Sequence, residues 1–291
     1  MTEAPPLDRR RIGSFLAIAL GIAALTGGVL YATGGLESSP ELLPGITLAT
    51  VLLPTVYMFS PAVANVATRS LTDEGWTDLS LRPNLPDRWR AYVAAWLGTS
   101  ALIGAGFALS LALQQAGVVP PASDGRTLPM IAILASLTLG PVINTFVAFG
   151  EEFGWRAYLL QKLMPLGVRR ALFVHGVIWG VWHWPVIAMG YNYGLDYPGA
   201  PWTGLAMMTV ATVAIGTVLG TLALWADSVW PPALAHGTLN AVGSVAAVVG
   251  GGASLVSAAP VALVGVVPWA VVAVVIRYRW TEAMIHSARG A

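Results

Sequence analysis

The chain has 291 residues, of which 56% are hydrophobic and only 10% are charged, and its formal net charge is +1. Soluble globular domains usually carry about 25% charged residues, so the composition excludes an ordinary soluble domain. The absence of cysteine excludes disulfides and thiolate metal sites. We therefore predict an all-α polytopic membrane protein, with a single integral-membrane domain over residues 1–291.

Apolar runs long enough to cross a bilayer recur from end to end, and they predict eight transmembrane helices in one bundle. The predicted spans cover residues 12–31, 43–66, 92–116, 130–155, 178–196, 205–225, 232–249 and 260–276. With both termini in the cytosol, this arrangement puts every Lys and Arg except Arg126 on the cytosolic side, as the positive-inside rule requires. Gly216 and Gly220, four apart in the sixth span, predict close helix packing.

Two adjacent carboxylates, Glu151 and Glu152, directly follow the apolar run 142–149 in the fourth span. A charge at the centre of a bilayer costs about 3 kcal/mol on insertion scales, so the pair requires an explanation. Glu152 and Arg156 are four residues apart and share a helix face, which predicts an ion pair. Glu151 points about 100° away from that face and has no local partner, which leaves it free for chemistry.

Polar side chains on two later spans are expected at the same depth as Glu151. Glu151 and His183 lie equally far in sequence from Gly167, the turn between their helices, so an antiparallel pair would bring them level. His236 and Asn240 share one face of the seventh span and enter from the cytosolic side. The prediction is a polar cluster in the cytosolic third of the membrane, provided that kinks at the prolines of these helices do not displace it.

Such a cluster can hold and activate a water molecule. A carboxylate can act as base, imidazoles can polarise the water or bind a metal, and an amide can stabilise an oxyanion. Two His and one Glu are also a ligand set of catalytic zinc sites. The alternative is structural, with Glu152 and Arg156 as a buried pair and each His bonded to a nearby carbonyl. We interpret His175 as interfacial, His286 as solvated, and Trp179 and Trp182 as packing residues.

Other patterns narrow the choice of chemistry. The zincin pattern His-Glu-x-x-His is absent, as are Gly-x-Ser-Gly and Gly-x-Gly-Asp, which are expected of other intramembrane proteases. Lys162 is the sole lysine, and no Gly-rich phosphate loop precedes it. We expect no nucleic-acid partner.

Three motifs in order carry a family resemblance. Glu151-Glu152-x-x-x-Arg156, Trp179-x-x-x-His183 and His236-x-x-x-Asn240, within a core of about residues 130–249, resemble the CAAX protease and bacteriocin-processing family of intramembrane endopeptidases. Two positions depart from the usual pattern: Trp179 stands where Phe is common, and Ala157 stands where Gly often follows the Arg.

The resemblance implies peptide-bond hydrolysis in which Glu151 activates water, His183, His236 and Asn240 hold it, and Glu152 with Arg156 shapes the site. It implies a membrane-associated or lipidated peptide or small protein as substrate. A divalent metal such as zinc, held by His183 and His236, is an expectation of the same kind, and its requirement stays open.

Two alternatives remain. A non-proteolytic membrane protein can use a Glu/His cluster for proton or metal transport, and a catalytically silent relative can serve as an immunity or scaffold protein. The strong preference for Arg over Lys and the many Ala, Val and Gly residues indicate a prokaryotic cell membrane protein.

Overall fold

The computed structural model describes residues 6–119, 127–250 and 254–279. Its helices are α1 (Arg9–Ala32), α2 (Leu48–Leu52), α3 (Ser60–Leu71), α4 (Leu85–Val93), α5 (Thr99–Gln115), α6 (Met130–Leu137), α7 (Leu139–Gly154), α8 (Leu160–Leu163), α9 (Val168–Ile187), α10 (Trp202–Ala226), α11 (Trp230–Val249) and α12 (Val267–Arg279). The π-helical turns Leu53–Tyr57, Ala94–Gly98 and Trp155–Leu159 continue α2, α4 and α7, and a 3₁₀ turn, Met164–Leu166, follows α8. A short hairpin pairs β1 (Glu41–Leu43) with β2 (Ile46–Thr47) in antiparallel fashion. The predicted all-α class is confirmed.

The predicted count of eight spans is not confirmed. In the described ranges, five helical stretches are long and apolar enough to cross a membrane, and a bent pair could make a sixth. These stretches are Arg9–Ala32, Leu48–Leu71, Leu85–Gln115, Trp202–Ala226 and Trp230–Val249, with Met130–Leu137 plus Leu139–Leu166 as the bent pair. The protein is nevertheless a multi-pass membrane protein.

The fifth and eighth predicted spans account for the difference. The fifth was expected at residues 178–196, but α9 covers Val168–Ile187, and its two arginines and two histidines lower its apolar character. The eighth was expected at residues 260–276, whereas the described part of α12 has only 13 residues. Arg126, the one basic residue expected on the outer side, lies outside the described residues.

The fourth predicted span is bent by 49° where α6 meets α7. Pro141 lacks an N–H group, so it cannot donate to the carbonyl of Leu137 four residues earlier, and that carbonyl needs another partner in an apolar environment. Trp96 supplies one, since its Nε1 donates to the Leu137 oxygen at 2.9 Å. The expected kink in this span is confirmed. By contrast, α9 continues through Pro185 to Ile187.

Glycines let the helices that carry the polar cluster approach closely. A Cβ atom at Gly220 of α10 would lie 2.4 Å from Leu172 Cδ2 of α9, and one at Gly216 would lie 3.6 Å from the Gly176 Cα. The predicted close packing at these glycines is therefore confirmed, and α9 is the partner helix. A Cβ atom at Gly237 would come within 2.5 Å of the Thr145 nitrogen, so α11 is pressed equally closely against α7.

A second polar network ties the helix ends together around Glu74, whose side chain is only 5% exposed. Its carboxylate pairs with Arg11 of α1 at 3.3 Å and with Lys162 of α8. Nearby, burial opposes ionisation of Asp78, but the hydrogen bond and charge of Arg69 outweigh it and hold the Asp78 pKa below its usual range. These contacts fasten the segment after α3 to the bundle.

The close approach of α9 and α10 predicts a stability difference between two Gly→Ala variants. A Cβ atom at Gly180 would lie 2.7 Å from the Thr209 Cα, whereas Gly104 of α5 has nothing within 4 Å of that position. Overpacking costs about 1–3 kcal/mol, so Gly180→Ala should lower the thermal unfolding midpoint in detergent, as followed by circular dichroism. Gly104→Ala should leave it unchanged or slightly raised, because Ala favours helix. Equal midpoints for the two variants would contradict the packing described.

Candidate active site

Three neighbouring helices bring four of the six sequence-predicted residues to one cavity of about 470 Å³, while Glu152 and Arg156 are buried beside it and do not line it. Helix α7 contributes the two carboxylates, and the π-helical turn that follows it contributes Arg156. Helix α9 contributes Trp179 and His183, and α11 contributes His236 and Asn240. The cavity is lined by Glu151, Trp179, Trp182, His183, His236 and Asn240, among others. The expected convergence of the carboxylate, the imidazoles and the amide is what the structure displays.

Glu152 is the centre of the polar contacts. Its Oε1 accepts a hydrogen bond from Arg156 Nη1 at 2.6 Å and lies 2.7 Å from His236 Nδ1. Glu152 and Arg156 are both completely buried, and the predicted ion pair between them is confirmed. The bond to His236 joins α7 to α11, and no sequence spacing indicated it.

Glu151 is held differently from its neighbour. Its side chain is almost completely buried, and Oε2 accepts a hydrogen bond from Trp179 Nε1 at 2.8 Å. The other oxygen, Oε1, lies 4.0 Å from His236 Nε2, which is too far for a direct hydrogen bond. Among the described residues, no Lys or Arg side chain forms an ion pair with Glu151. One of its oxygens is therefore fixed, and the other faces an imidazole across a gap.

Trp179 has a larger part in the site than the packing role predicted for it. Besides donating to Glu151, its ring lies under the Arg156 guanidinium, 4.1 Å from ring centroid to Cζ. The same ring meets His236 edge-on at 5.5 Å between centroids. One side chain thus contacts the carboxylate, the cation and an imidazole. The sequence feature that could have indicated this role is its position in the second motif, one helical turn before His183.

The hydrogen bonds define the tautomers of the two histidines. His183 Nδ1 lies 2.8 Å from the backbone oxygen of Trp179, and His236 Nδ1 lies against the Glu152 carboxylate. A carbonyl and a carboxylate only accept, so each Nδ1 carries a hydrogen, and each Nε2 is left for other partners. Tyr57 supports α9 next to His183, since its hydroxyl donates to the Trp182 carbonyl.

The donor geometry bears on the expected metal. Within residues 6–119, 127–250 and 254–279, no group of three or more His, Asp or Glu side chains is arranged to hold an ion. In a tetrahedral zinc site with bonds of about 2.0–2.2 Å, two ligand atoms lie about 3.3–3.6 Å from each other. His236 Nε2 and Glu151 Oε1 are 4.0 Å apart, slightly wider than that, and no third donor of the described residues is grouped around them. The side chains do not form a ready-made metal centre, and zinc at His183 and His236 stays a prediction.

His175 lies inside the bundle. Its side chain is completely buried and meets the ring of Trp155 edge-on, with 6.2 Å between centroids. Because α9 begins at Val168, ten residues before the predicted start of the span, His175 belongs to a packed helix, and its position at the membrane interface stays a prediction. His286, expected to be solvated, lies outside the described residues.

The buried Glu152–Arg156 pair predicts that replacing either residue lowers stability and that the two effects are coupled. Breaking a buried pair by removing one partner costs about 3–5 kcal/mol, because the remaining charge is unpaired. Arg156→Met should therefore greatly lower the free energy of unfolding in detergent, and adding Glu152→Gln should recover part of that loss. Arg9→Met, at an exposed arginine of α1, serves as the control and should have little effect. Losses that simply add in the double variant would contradict the coupling.

The stretch of chain that carries the site also matches a known protein family. No curated protein sequence matches the chain. Residues 128–242 match the family described as Type II CAAX prenyl endopeptidase Rce1-like. This range includes all three motifs and ends two residues after Asn240. The resemblance inferred from the motifs is thereby confirmed for this stretch, since residues 128–242 are similar to the Rce1-like family of CAAX prenyl endopeptidases.

Proposed function

We propose that the protein is an intramembrane endopeptidase that hydrolyses a peptide bond near the cytosolic face of the membrane. The observation that carries the proposal is the gap between Glu151 Oε1 and His236 Nε2, which opens on a cavity of about 470 Å³. That gap lies in the stretch of chain that matches an endopeptidase family.

The gap is of a size to hold the attacking water. Two polar atoms 4.0 Å apart are too far for a direct bond, yet one water beside them can reach both at about 2.8 Å. Glu151 acts as general base and takes a proton from that water. The bond from Trp179 Nε1 to the other carboxylate oxygen supports this role, because it keeps Glu151 from rotating away. His236 Nε2 orients the water, and the bond to Glu152 holds its ring in place.

The remaining side chains serve the later part of the reaction. Water attack on a peptide carbonyl gives a tetrahedral intermediate with a negatively charged oxygen, which needs a hydrogen-bond donor. Asn240 follows His236 by one helical turn and lines the same cavity, and we assign that donation to its amide. His183 also lines the cavity, and in this mechanism it binds the substrate carbonyl or the water. Glu151 then returns its proton to the leaving amine, which breaks the C–N bond.

The two carboxylates have separate roles in this scheme. Glu152 is already bonded to Arg156 and His236, so its charge is compensated and it shapes the site. Glu151 has no cationic partner of its own and is available to move a proton. None of the proton transfers proposed here is assigned to a metal ion. A bound zinc, if the protein takes one, would polarise the carbonyl or the water.

The cavity lining favours an apolar or lipid-modified substrate. Opposite the polar residues, its walls are formed by apolar side chains, among them Val147, Val186, Met208, Ile215 and Leu239. A membrane-associated or lipidated peptide or small protein would bury its apolar part against them, with the scissile bond near Glu151. We propose that it enters sideways between helices from the bilayer of a prokaryotic cell membrane.

Replacing Glu151 by Gln tests the assigned base. The amide keeps the size of the side chain and can still bond Trp179, but it cannot accept the proton of the water. We expect cleavage to fall by at least about 100-fold, because general bases contribute roughly 10²–10⁴-fold. Cleavage is measured by mass spectrometry of membrane peptides from cells that express each variant. The thermal unfolding midpoint should change little.

The matched control is Glu37→Gln, the same exchange at an exposed position outside the cavity, which should leave cleavage unchanged. A fully active Glu151→Gln protein would refute the role of Glu151. Proton or zinc flux into liposomes that persists without any peptide cleavage would instead favour transport.

We also propose that both termini lie in the cytosol, and the absence of native cysteine makes this testable. Glu37, in the loop after α1, and Asp87, in α4, are both exposed. A single cysteine at position 37 should react with a membrane-impermeant maleimide added to intact cells. A single cysteine at position 87 should react only after the cells are opened. The reverse pattern would show the opposite orientation.

A further inference from the structure

A second cavity, of about 250 Å³, lies between α9, α10 and α12 and shares no lining residue with the first. We call it the α9–α12 groove. Its lining residues are Val168, Arg169, Leu172, Phe173, Val213, Thr217, Thr221, Ala273, Val274, Ile276 and Arg277. Two arginines and an otherwise mostly apolar wall make this an amphipathic groove, and nothing in the proposed peptidase chemistry uses it.

The charged end of the groove is formed where one helix begins and another ends. Arg169 lies in the first turn of α9, and Arg277 lies in the last turn of the described part of α12. Both side chains are exposed, and no carboxylate in the described part of the chain pairs with either of them. The first turn of α9 also has no side-chain cap, so its free N–H groups add positive potential at this end. The groove therefore offers an anion two guanidinium groups that form no ion pair with any described residue.

The rest of the groove is apolar and opens sideways. Phe173 is 49% exposed and Val274 is 52% exposed, and both face outward where lipid would surround the bundle. The Thr217 and Thr221 hydroxyls each donate to a backbone carbonyl of their own helix at 2.7 Å, so an apolar ligand can cover them without leaving an unpaired donor. From Thr221 to Val213 the wall of α10 extends about 12 Å at the helical rise, a length suited to part of an acyl chain.

We propose that the α9–α12 groove binds an anionic phospholipid, with its phosphate between Arg169 and Arg277 and an acyl chain along Leu172 and Val213. A neutral lipid would cover the apolar wall but leave the arginines without a counter-charge. A soluble anion would pair with the arginines but leave the apolar wall uncovered. Basic pockets at helix ends on the cytosolic side of membrane proteins suit anionic headgroups in the same way. The proposal does not depend on the peptidase function.

Lipid retention by the full-length protein tests the proposal. Protein purified in a neutral detergent would be titrated with phosphatidylglycerol, phosphatidylcholine or inorganic phosphate. Native mass spectrometry would count the retained lipids, and the thermal unfolding midpoint would report binding. We expect one phosphatidylglycerol to be retained with a raised midpoint, and Arg169→Gln/Arg277→Gln to weaken this binding at least tenfold. The control Arg9→Gln/Arg10→Gln removes two exposed arginines outside the groove and should retain the lipid as the parent does.

A second variant separates the headgroup from the chain. Ala273→Phe would fill the apolar part of the groove while leaving both arginines in place, and it should also reduce phosphatidylglycerol retention. Undiminished retention in both groove variants would overturn the proposal. An equal rise of the midpoint with inorganic phosphate alone would also overturn it, because it would indicate a site for free anions. Equal retention of phosphatidylcholine would show that the net negative charge of the headgroup is not recognised, with the same consequence.

Discussion

The architecture of the site depends on one buried carboxylate. Glu152 accepts bonds from Arg156 on its own helix and from His236 on α11, and the surrounding bundle excludes solvent from all three. A buried charge is tolerated only when it is paired and hydrogen-bonded, so these contacts specify how α7 and α11 lie against each other. The close approach at Gly237 makes the short bond between the helices possible. Packing and electrostatics therefore require the same helix arrangement.

The bonds of Glu152 Oε1 to Arg156 and His236 give Glu152 a different environment from that of its neighbour. Glu151 lies on another face of α7, where a neutral indole N–H is its donor and an imidazole faces it at 4.0 Å. Two identical side chains, adjacent in sequence, thus differ because they point to different helices. Trp179 couples the two environments, since its N–H bonds Glu151 while its ring lies under Arg156. In the proposed mechanism, this separation would allow one carboxylate to hold the structure while the other moves a proton.

Three π-helical turns carry side chains that stabilise the packing of the helices. Tyr57, Trp96 and Arg156 each lie in a π-helical turn. Tyr57 and Trp96 reach other helices, where they bond a carbonyl of α9 and the carbonyl freed by Pro141. Arg156 pairs with Glu152 one turn earlier in its own helix, and its guanidinium lies over the Trp179 ring of α9. A π-helical turn adds a residue to the helix and so changes the direction of the side chains that follow. In a membrane, such irregular backbone persists where neighbouring helices satisfy it. Charge is also concentrated outside the site, where Arg169 and Arg277 lie at helix ends in the α9–α12 groove.

Much of this could be predicted from the sequence because it depends on local spacing. Composition determined the helical membrane class, the four-residue interval determined the ion pair between Glu152 and Arg156, and the ordered motifs identified the family. The small residues of α10 likewise predicted close packing. The span count could not be obtained in this way, because hydropathy treats every apolar run alike. It cannot tell that α9, with its two arginines and two histidines, is a well-packed helix of the bundle. The bend between α6 and α7, by contrast, was expected from Pro141.

The partners of individual side chains were decided only by the tertiary structure. That Trp179 donates to Glu151, that His236 bonds Glu152, and that His175 is buried against Trp155 all follow from how α7, α9 and α11 cross. Such contacts join residues far apart in sequence, and their geometry is set by glycine contacts and by a proline-associated bend. The sequence by itself determined which chemical groups are present and how they are spaced along each helix. The packing of the helices determined which of them meet, because a hydrogen bond requires atoms within about 3 Å and no sequence interval specifies that between separate helices.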